Sequence, residues 1–151
     1  MSNHELKALN ESAEANRVSY LFNNPSFYVL ESFPNPSTCF LLAERNSSET
    51  TDTDLKIEII APEFTCLCPI TGQPDFGTIR IIYKPLEKCV ESKSLKLYLM
   101  RFRDEGMFHE AICCQIRDHL VELLHPSFLK VVGEFAPRGG IAFNPSAEYY
   151  L

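Results

Sequence analysis

Apolar and polar residues alternate along Leu55-Lys56-Ile57-Glu58-Ile59, the period-two pattern of a half-buried strand. The same period places Ile79, Ile81 and Tyr83 on one face of Phe76 to Tyr83 and turns Thr78 and Arg80 the other way, with Pro85 ending the run. Leu129, Val131, Gly133 and Phe135 repeat it, and after an Arg138-Gly139-Gly140 turn Ile141-Ala142-Phe143 is expected to begin another strand. Between these blocks the period lengthens. Leu95, Leu99 and Phe102 recur at i, i+4 and i+7, predicting a helix from Ser92 to Arg103 that Asp104-Glu105-Gly106 ends. Ile112, Ile116, Leu120 and Leu123 form the stripe of a second helix, about His109 to Leu124, which stops before Pro126. Nearer the start, Phe27-Tyr28-Val29-Leu30 and Cys39-Phe40-Leu41-Leu42 read as short strands flanking the turn cluster Pro34-Asn35-Pro36-Ser37, and Asn46 to Asp54 reads as polar loop. Strands, two helices, then strands predict an α+β fold, an antiparallel sheet with two helices on one face. Residues 1–24 are expected to be a polar arm, partly helical, with a possible capping box at Ser2 and Glu5; residues 25–151 are expected to form a single domain.

A length of 151 residues agrees with one domain. Charge narrows the partners: 14 Lys and Arg against 20 Asp and Glu give a net charge of −6, which offers no general attraction to nucleic acid or anionic membranes. The first residues lack the basic-then-apolar profile of a secretory leader, and no run approaches the roughly 18 apolar residues of a membrane span. The six cysteines (Cys39, Cys66, Cys68, Cys89, Cys113, Cys114) are therefore expected to be thiols in a cytoplasmic protein.

Candidate chemistry is densest between Glu63 and Phe76, a turn-rich stretch expected to be a loop between two strands. A cysteine there becomes a nucleophile where backbone dipoles or a nearby cation stabilise its thiolate. Asp75, seven residues beyond Cys68, is placed to fold back as a proton donor provided burial raises its pKa. The blander reading has Cys66 or Cys68 packing as a small hydrophobe and Asp75 capping a turn. Half of a zinc site is a third reading, with His109 and Cys113-Cys114 as the available partners, but Cys66 and Cys68 are closer than usual zinc pairs, adjacent cysteines point to different faces, and no histidine stands at a convincing ligand spacing. His109 and Glu110 open the second helix; an ionised carboxylate there is favoured by the helix dipole, and it also matches the amide and amino donors of a guanine edge. Hydroxyls and amines from Glu91 to Tyr98 mark a helix start able to hold an anion, or else a solvated amphipathic helix. No Rossmann or P-loop glycine motif is present.

These segments, in this order and spacing, resemble one family: Leu30 to Asn35, Glu63-Phe64-Thr65, Leu67-Cys68-Pro69, Thr71 to Phe76, Val90 to Tyr98, Phe108-His109-Glu110 and Pro137 to Gly140. It is the short, single-module form of the NADPH-dependent 7-cyano-7-deazaguanine reductases of queuosine biosynthesis. The resemblance implies the tunnelling fold (T-fold), assembled into rings as two stacked pentamers with active sites between subunits. It implies reduction of a small-molecule 7-deazapurine nitrile to the primary amine, with two NADPH per turnover and no metal, nucleic acid or membrane partner. Cys68 would add to the nitrile as a covalent thioimide, Asp75 would deliver protons, and His109 would support reduction. Glu110 would grip the deazaguanine edge beside His109, with Val90, Glu91 and Ser92 completing substrate recognition. Ser92, Lys93, Ser94, Lys96 and Arg138 would meet NADPH. Cys66 matches a position that the family does not need as cysteine. Two other functions remain as alternatives, a zinc-dependent cyclohydrolase of the same superfamily and a non-catalytic purine- or pterin-binding protein.

Overall fold

The computed structural model describes residues 27–38 and 55–151. The expected arm over 1–24, the apolar run from Cys39 to Leu42 and the Asn46 to Asp54 loop lie outside the described residues. A four-stranded antiparallel sheet is built from β2 (Ile57–Leu67), β3 (Pro74–Lys84), β5 (Phe128–Phe135) and β6 (Ser146–Tyr150), in that spatial order. A separate two-stranded ribbon pairs β1 (Ser32–Pro34) with β4 (Lys88–Val90). Two helices follow β4, α1 (Ser92–Met100) and α2 (His109–Leu124), so the expected α+β layout holds with a second, smaller sheet added.

Alternation and helical stripes meet in one core. Ile79, Ile81 and Tyr83 of β3, Leu129, Val131 and Phe135 of β5, and Phe64 and Cys66 of β2 are buried together with Leu95, Tyr98 and Leu99 of α1. α2 contributes Ile112, Ile116, Leu120 and Leu124, each worth about 1.5–3 kcal/mol of gross burial. The stripe therefore ends on Leu124; Leu123 is only half-buried. On the opposite face of the sheet Arg80 bridges Glu58 at 3.3 Å and Glu134 at 3.0 Å, a charge ladder across three strands.

Four expectations on local structure are corrected. Phe27–Val29 is a 3-10 turn, and the nearby strand is Ser32–Pro34. The strand begun at Ile57 runs on to Leu67, because a register shift between Ala61 and Phe64 absorbs Pro62 without ending the pairing with β3. The loop is thus only the six residues from Cys68 to Gln73. α1 stops at Met100 and tightens into a 3-10 turn over Arg101–Asp104 that still buries Phe102. Ile141-Ala142-Phe143 is not a strand: Arg138 and Ile141 close a two-residue turn, Gly139 and Gly140 supply its φ values of +56° and +79°, and the sheet resumes only at Ser146. No helix among the described residues is long and apolar enough to cross a membrane.

Candidate active site

Strand register brings the reactive side chains together. Cys66 on β2 lies directly opposite Asp75 on β3, so both point to the core face, at the end of the stripe that Ile79 and Ile81 continue. Cys68 shares that face by alternation. The hairpin tip then wraps round it: the Cys68 N–H donates to the Gln73 carbonyl at 2.8 Å, and the Gly72 N–H donates to the Cys68 carbonyl at 2.8 Å. Gly72, at φ +68°, makes that return possible. The tip consequently aims the Ile70 and Thr71 amides and the Thr71 hydroxyl at the Cys68 sulfur, with Arg138 as a further donor, and together they lower its pKa to about 6. Cys66, fully buried two residues earlier, goes the other way: burial pushes it up to about 11.

The entry to α2 closes the other side. The Leu67 N–H donates to the Glu105 carbonyl at 2.9 Å and the Met107 N–H donates to the Leu67 carbonyl at 3.2 Å. This backbone splice fixes the start of α2 beside Cys68. His109 there stacks on Phe135, with ring centroids 3.6 Å apart and planes 2° from parallel. Its Nε2 pairs with Asp75 Oδ2 at 3.0 Å, and burial holds the imidazole below its ordinary pKa against a smaller upward pull from Glu110. Arg138 arrives from the far end of β5. The Ala136 N–H donates to the Phe76 carbonyl at 2.9 Å, and two residues on the Arg138 guanidinium meets Asp75 Oδ2. Cys68, Asp75, His109, Glu110 and Arg138 all line one open cleft of about 460 Å³, rimmed by the exposed apolar residues Ile70, Phe108, Ile141 and Phe143.

The remaining expected site residues lie elsewhere. Val90, Glu91, Ser92 and Lys96 line a second, larger cleft of about 670 Å³ that shares no residue with the first. The anion site expected at the start of α1 is already filled. Glu91 caps the helix, its carboxylate accepting from the Lys93 and Ser94 amides at 2.7 Å each. Ser94 is also committed internally: buried, its hydroxyl donates to the Glu91 carbonyl at 2.8 Å and accepts from the Glu31 N–H at 3.0 Å. Ser92, Lys93 and Lys96 are exposed, and are the members of this run with side chains presented to solvent. Sequence reasoning missed three partners of the reactive groups: Thr71 on the thiol, Arg138 on both thiol and carboxylate, and Phe135 under the imidazole. The Thr-Gly pair at the tip was a usable signal for the first; the other two depend on β3–β5 register.

Such a cleft can do nucleophilic chemistry at neutral pH. The Cys68 thiolate is present above about pH 6 and is lost as pH falls through that value. Iodoacetamide should therefore modify Cys68 readily at pH 7, with a rate falling roughly tenfold per pH unit below 6, while Cys66, raised to about 11, stays unmodified. Peptide mapping of the alkylated protein across pH 4 to 9 measures this; a Cys68 rate that rises only above pH 8 would contradict the site geometry.

Comparison with known proteins gives a consistent picture. A family model described as QueF-like protein matches residues 74–150. A protein of Anaeromyxobacter sp. (strain Fw109-5) named NADPH-dependent 7-cyano-7-deazaguanine reductase is 52% identical over 112 residues, covering 74% of this chain and 81% of the relative. One of the same name from Streptococcus thermophilus (strain ATCC BAA-491 / LMD-9) is 43% identical over 141 residues, covering 93% of this chain and 83% of the relative. Among solved structures, the apo crystal structure of the archaeosine synthase QueF-Like aligns with a TM-score of 0.55 at 17% identity, covering 62% of this chain and 90% of that one, a likeness of fold alone.

Proposed function

The chain belongs to the QueF-like family, with the NADPH-dependent 7-cyano-7-deazaguanine reductases, and on that premise we propose that Cys68 and Asp75 carry its chemistry within a T-fold ring. The protein is an oxidoreductase of queuosine biosynthesis that reduces the nitrile of 7-cyano-7-deazaguanine to the primary amine, with NADPH as co-substrate. Nitrile to amine takes four electrons, hence two NADPH.

A nitrile is a poor hydride acceptor, so the proposed first step makes a better one. The Cys68 thiolate adds to the nitrile carbon while a proton goes to nitrogen, leaving a thioimide. Asp75 hands over that proton, and His109, paired with it at 3.0 Å, shares and replenishes it. Hydride from the first NADPH reaches the thioimide carbon; the thiolate then leaves and an imine remains. The second hydride and a proton complete the amine. Retaining the imine in a closed pocket prevents its hydrolysis. Arg138, which the resemblance assigned to NADPH, fits better as counter-ion to the Cys68 thiolate, since its guanidinium lies against Asp75 and Cys68. Glu110, exposed in the cleft beside His109, is the proposed acceptor for the amide and amino donors of the deazaguanine edge.

Assembly follows from the same proposal. The substrate-binding run from Val90 to Ser92 and the proposed phosphate partners Lys93 and Lys96 lie apart from the thiol cleft of their own protomer, so a neighbouring copy in a ring of two stacked pentamers would complete each site. The apolar rim at Ile70, Phe108, Ile141 and Phe143 suits such a covering. The described cysteines are free thiols, as a cytoplasmic reductase needs.

The observation that carries the mechanism is the Cys68 thiol facing the same cleft as the Asp75–His109 pair. Intact-mass spectrometry after mixing with 7-cyano-7-deazaguanine tests it. An adduct of the substrate's mass on Cys68 that disappears on adding NADPH is expected; turnover with no adduct on any cysteine would refute the covalent route.

A further inference from the structure

Beneath the nucleophile lies a set of ligand atoms that the reductase chemistry does not use together. Cys66 Sγ, an Asp75 carboxylate oxygen and a His109 ring nitrogen all lie within 4.8 Å of one another. No sequence spacing advertises this triad, because β2, β3 and the start of α2 each supply one member. We propose that Cys66, Asp75 and His109 form a binding site for a zinc-class divalent cation, and that its occupation reversibly silences the enzyme.

Three features carry the inference. The donor set is one sulfur, one nitrogen and one oxygen, which selects a borderline-soft ion over magnesium or calcium. Zinc–ligand distances of about 2.0–2.3 Å require neighbouring donors to be roughly 3–4 Å apart, so a triad already within 4.8 Å has only about an ångström to close. Charge also balances. On binding, Cys66 loses its proton to solvent and His109 presents the Nε2 lone pair, so thiolate and carboxylate together neutralise the ion. The buried cluster is then formally uncharged. Arg138, which now contacts Asp75, must give way. Its side chain is 51% exposed and sits at the lip of the double-glycine turn, so it swings to solvent. Asp75 and His109 also line the open cleft, which gives solvent access for a fourth ligand. With Asp75 and His109 held as ligands, no proton reaches the nitrile nitrogen; this second half of the proposal rests on the mechanism above, whereas the binding half does not.

The test uses the whole protein, reduced and stripped of metal. Cobalt(II) alone is titrated in, followed by zinc. One equivalent of cobalt should produce an intense near-ultraviolet thiolate-to-cobalt absorption that zinc displaces. Cys68→Ala should keep that band. Cys66→Ala should lose it, retain reductase activity, and need at least tenfold more zinc for half-inhibition than the unmodified enzyme. A band that survives Cys66→Ala but vanishes in Cys68→Ala would overturn the proposal, as would the absence of any thiolate band or equal zinc inhibition of both proteins. Should Cys66→Ala fold poorly, zinc X-ray absorption on the unmodified protein decides: one sulfur with nitrogen and oxygen neighbours supports the site, and two sulfurs or none refute it. The cobalt band reads binding without reductase activity, so failure of the nitrile mechanism and failure of this site are distinguishable.

Discussion

Cys68→Ala is expected to abolish both the substrate adduct and NADPH oxidation, a loss on the order of 10⁵-fold or more, because among the described residues no other thiol lines the cleft. Cys66→Ala is the paired control. In the metal-free protein that thiol is buried and pushed up to about 11, so it stays protonated near pH 7 and has no part in adduct formation. Its removal should cost about 1 kcal/mol of stability through the small void left, with adduct formation intact. Intact mass and NADPH absorbance on the two variants give the answer together. Equal loss of adduct from both would undo the assignment, since the two positions differ most in the donors that the hairpin tip aims at only one of them.

Asp75→Asn should lower turnover by about 10²–10⁴-fold, the range of a lost general acid–base group. The amide keeps the shape and can still face the His109 nitrogen and the Arg138 guanidinium, so the variant removes the exchangeable proton more than the architecture. Substrate affinity should change little, because recognition is proposed to rest on Glu110 and the Val90 to Ser92 run. Single-turnover NADPH oxidation alongside equilibrium binding of the nitrile separates the two effects. Unchanged single-turnover rates would remove Asp75 from the mechanism; a large loss of binding with normal chemistry would make it a recognition residue instead.

Much of the fold was legible because its signals are local. Period two at Ile79, Ile81 and Tyr83 and the α2 stripe at Ile112, Ile116 and Leu120 each follow from burying one face, and all six are buried in the core. Where composition misled, pairing overrode it. Glu63 and Thr65 read as loop, yet the partner strand and a bulge keep them in β2. Ile141 to Phe143 read as strand, yet their apolar side chains remain largely exposed, and an isolated bridge to Arg138 and one hydrogen bond from the Phe135 N–H to the Phe143 carbonyl do not build a ladder. The run at the start of α1 shows the same limit at a site: a sequence can show that a helix begins there, but not that Glu91 has already taken its amides.

By itself the sequence determined the helices, most of the sheet, the resemblance to a family, and Cys68, Asp75, His109 and Glu110 as candidates, because residue type and spacing along the chain carry that information. What sets the two cysteines apart is tertiary: burial raises Cys66, whereas the hydrogen-bond donors of the hairpin tip lower Cys68. The tertiary structure also decided that Arg138 and Asp75 meet, and that Cys66, Asp75 and His109 lie within reach of one ion. Those relations depend on strand register and on where a helix is spliced to a sheet. They join residues far apart in sequence, so no local pattern encodes them.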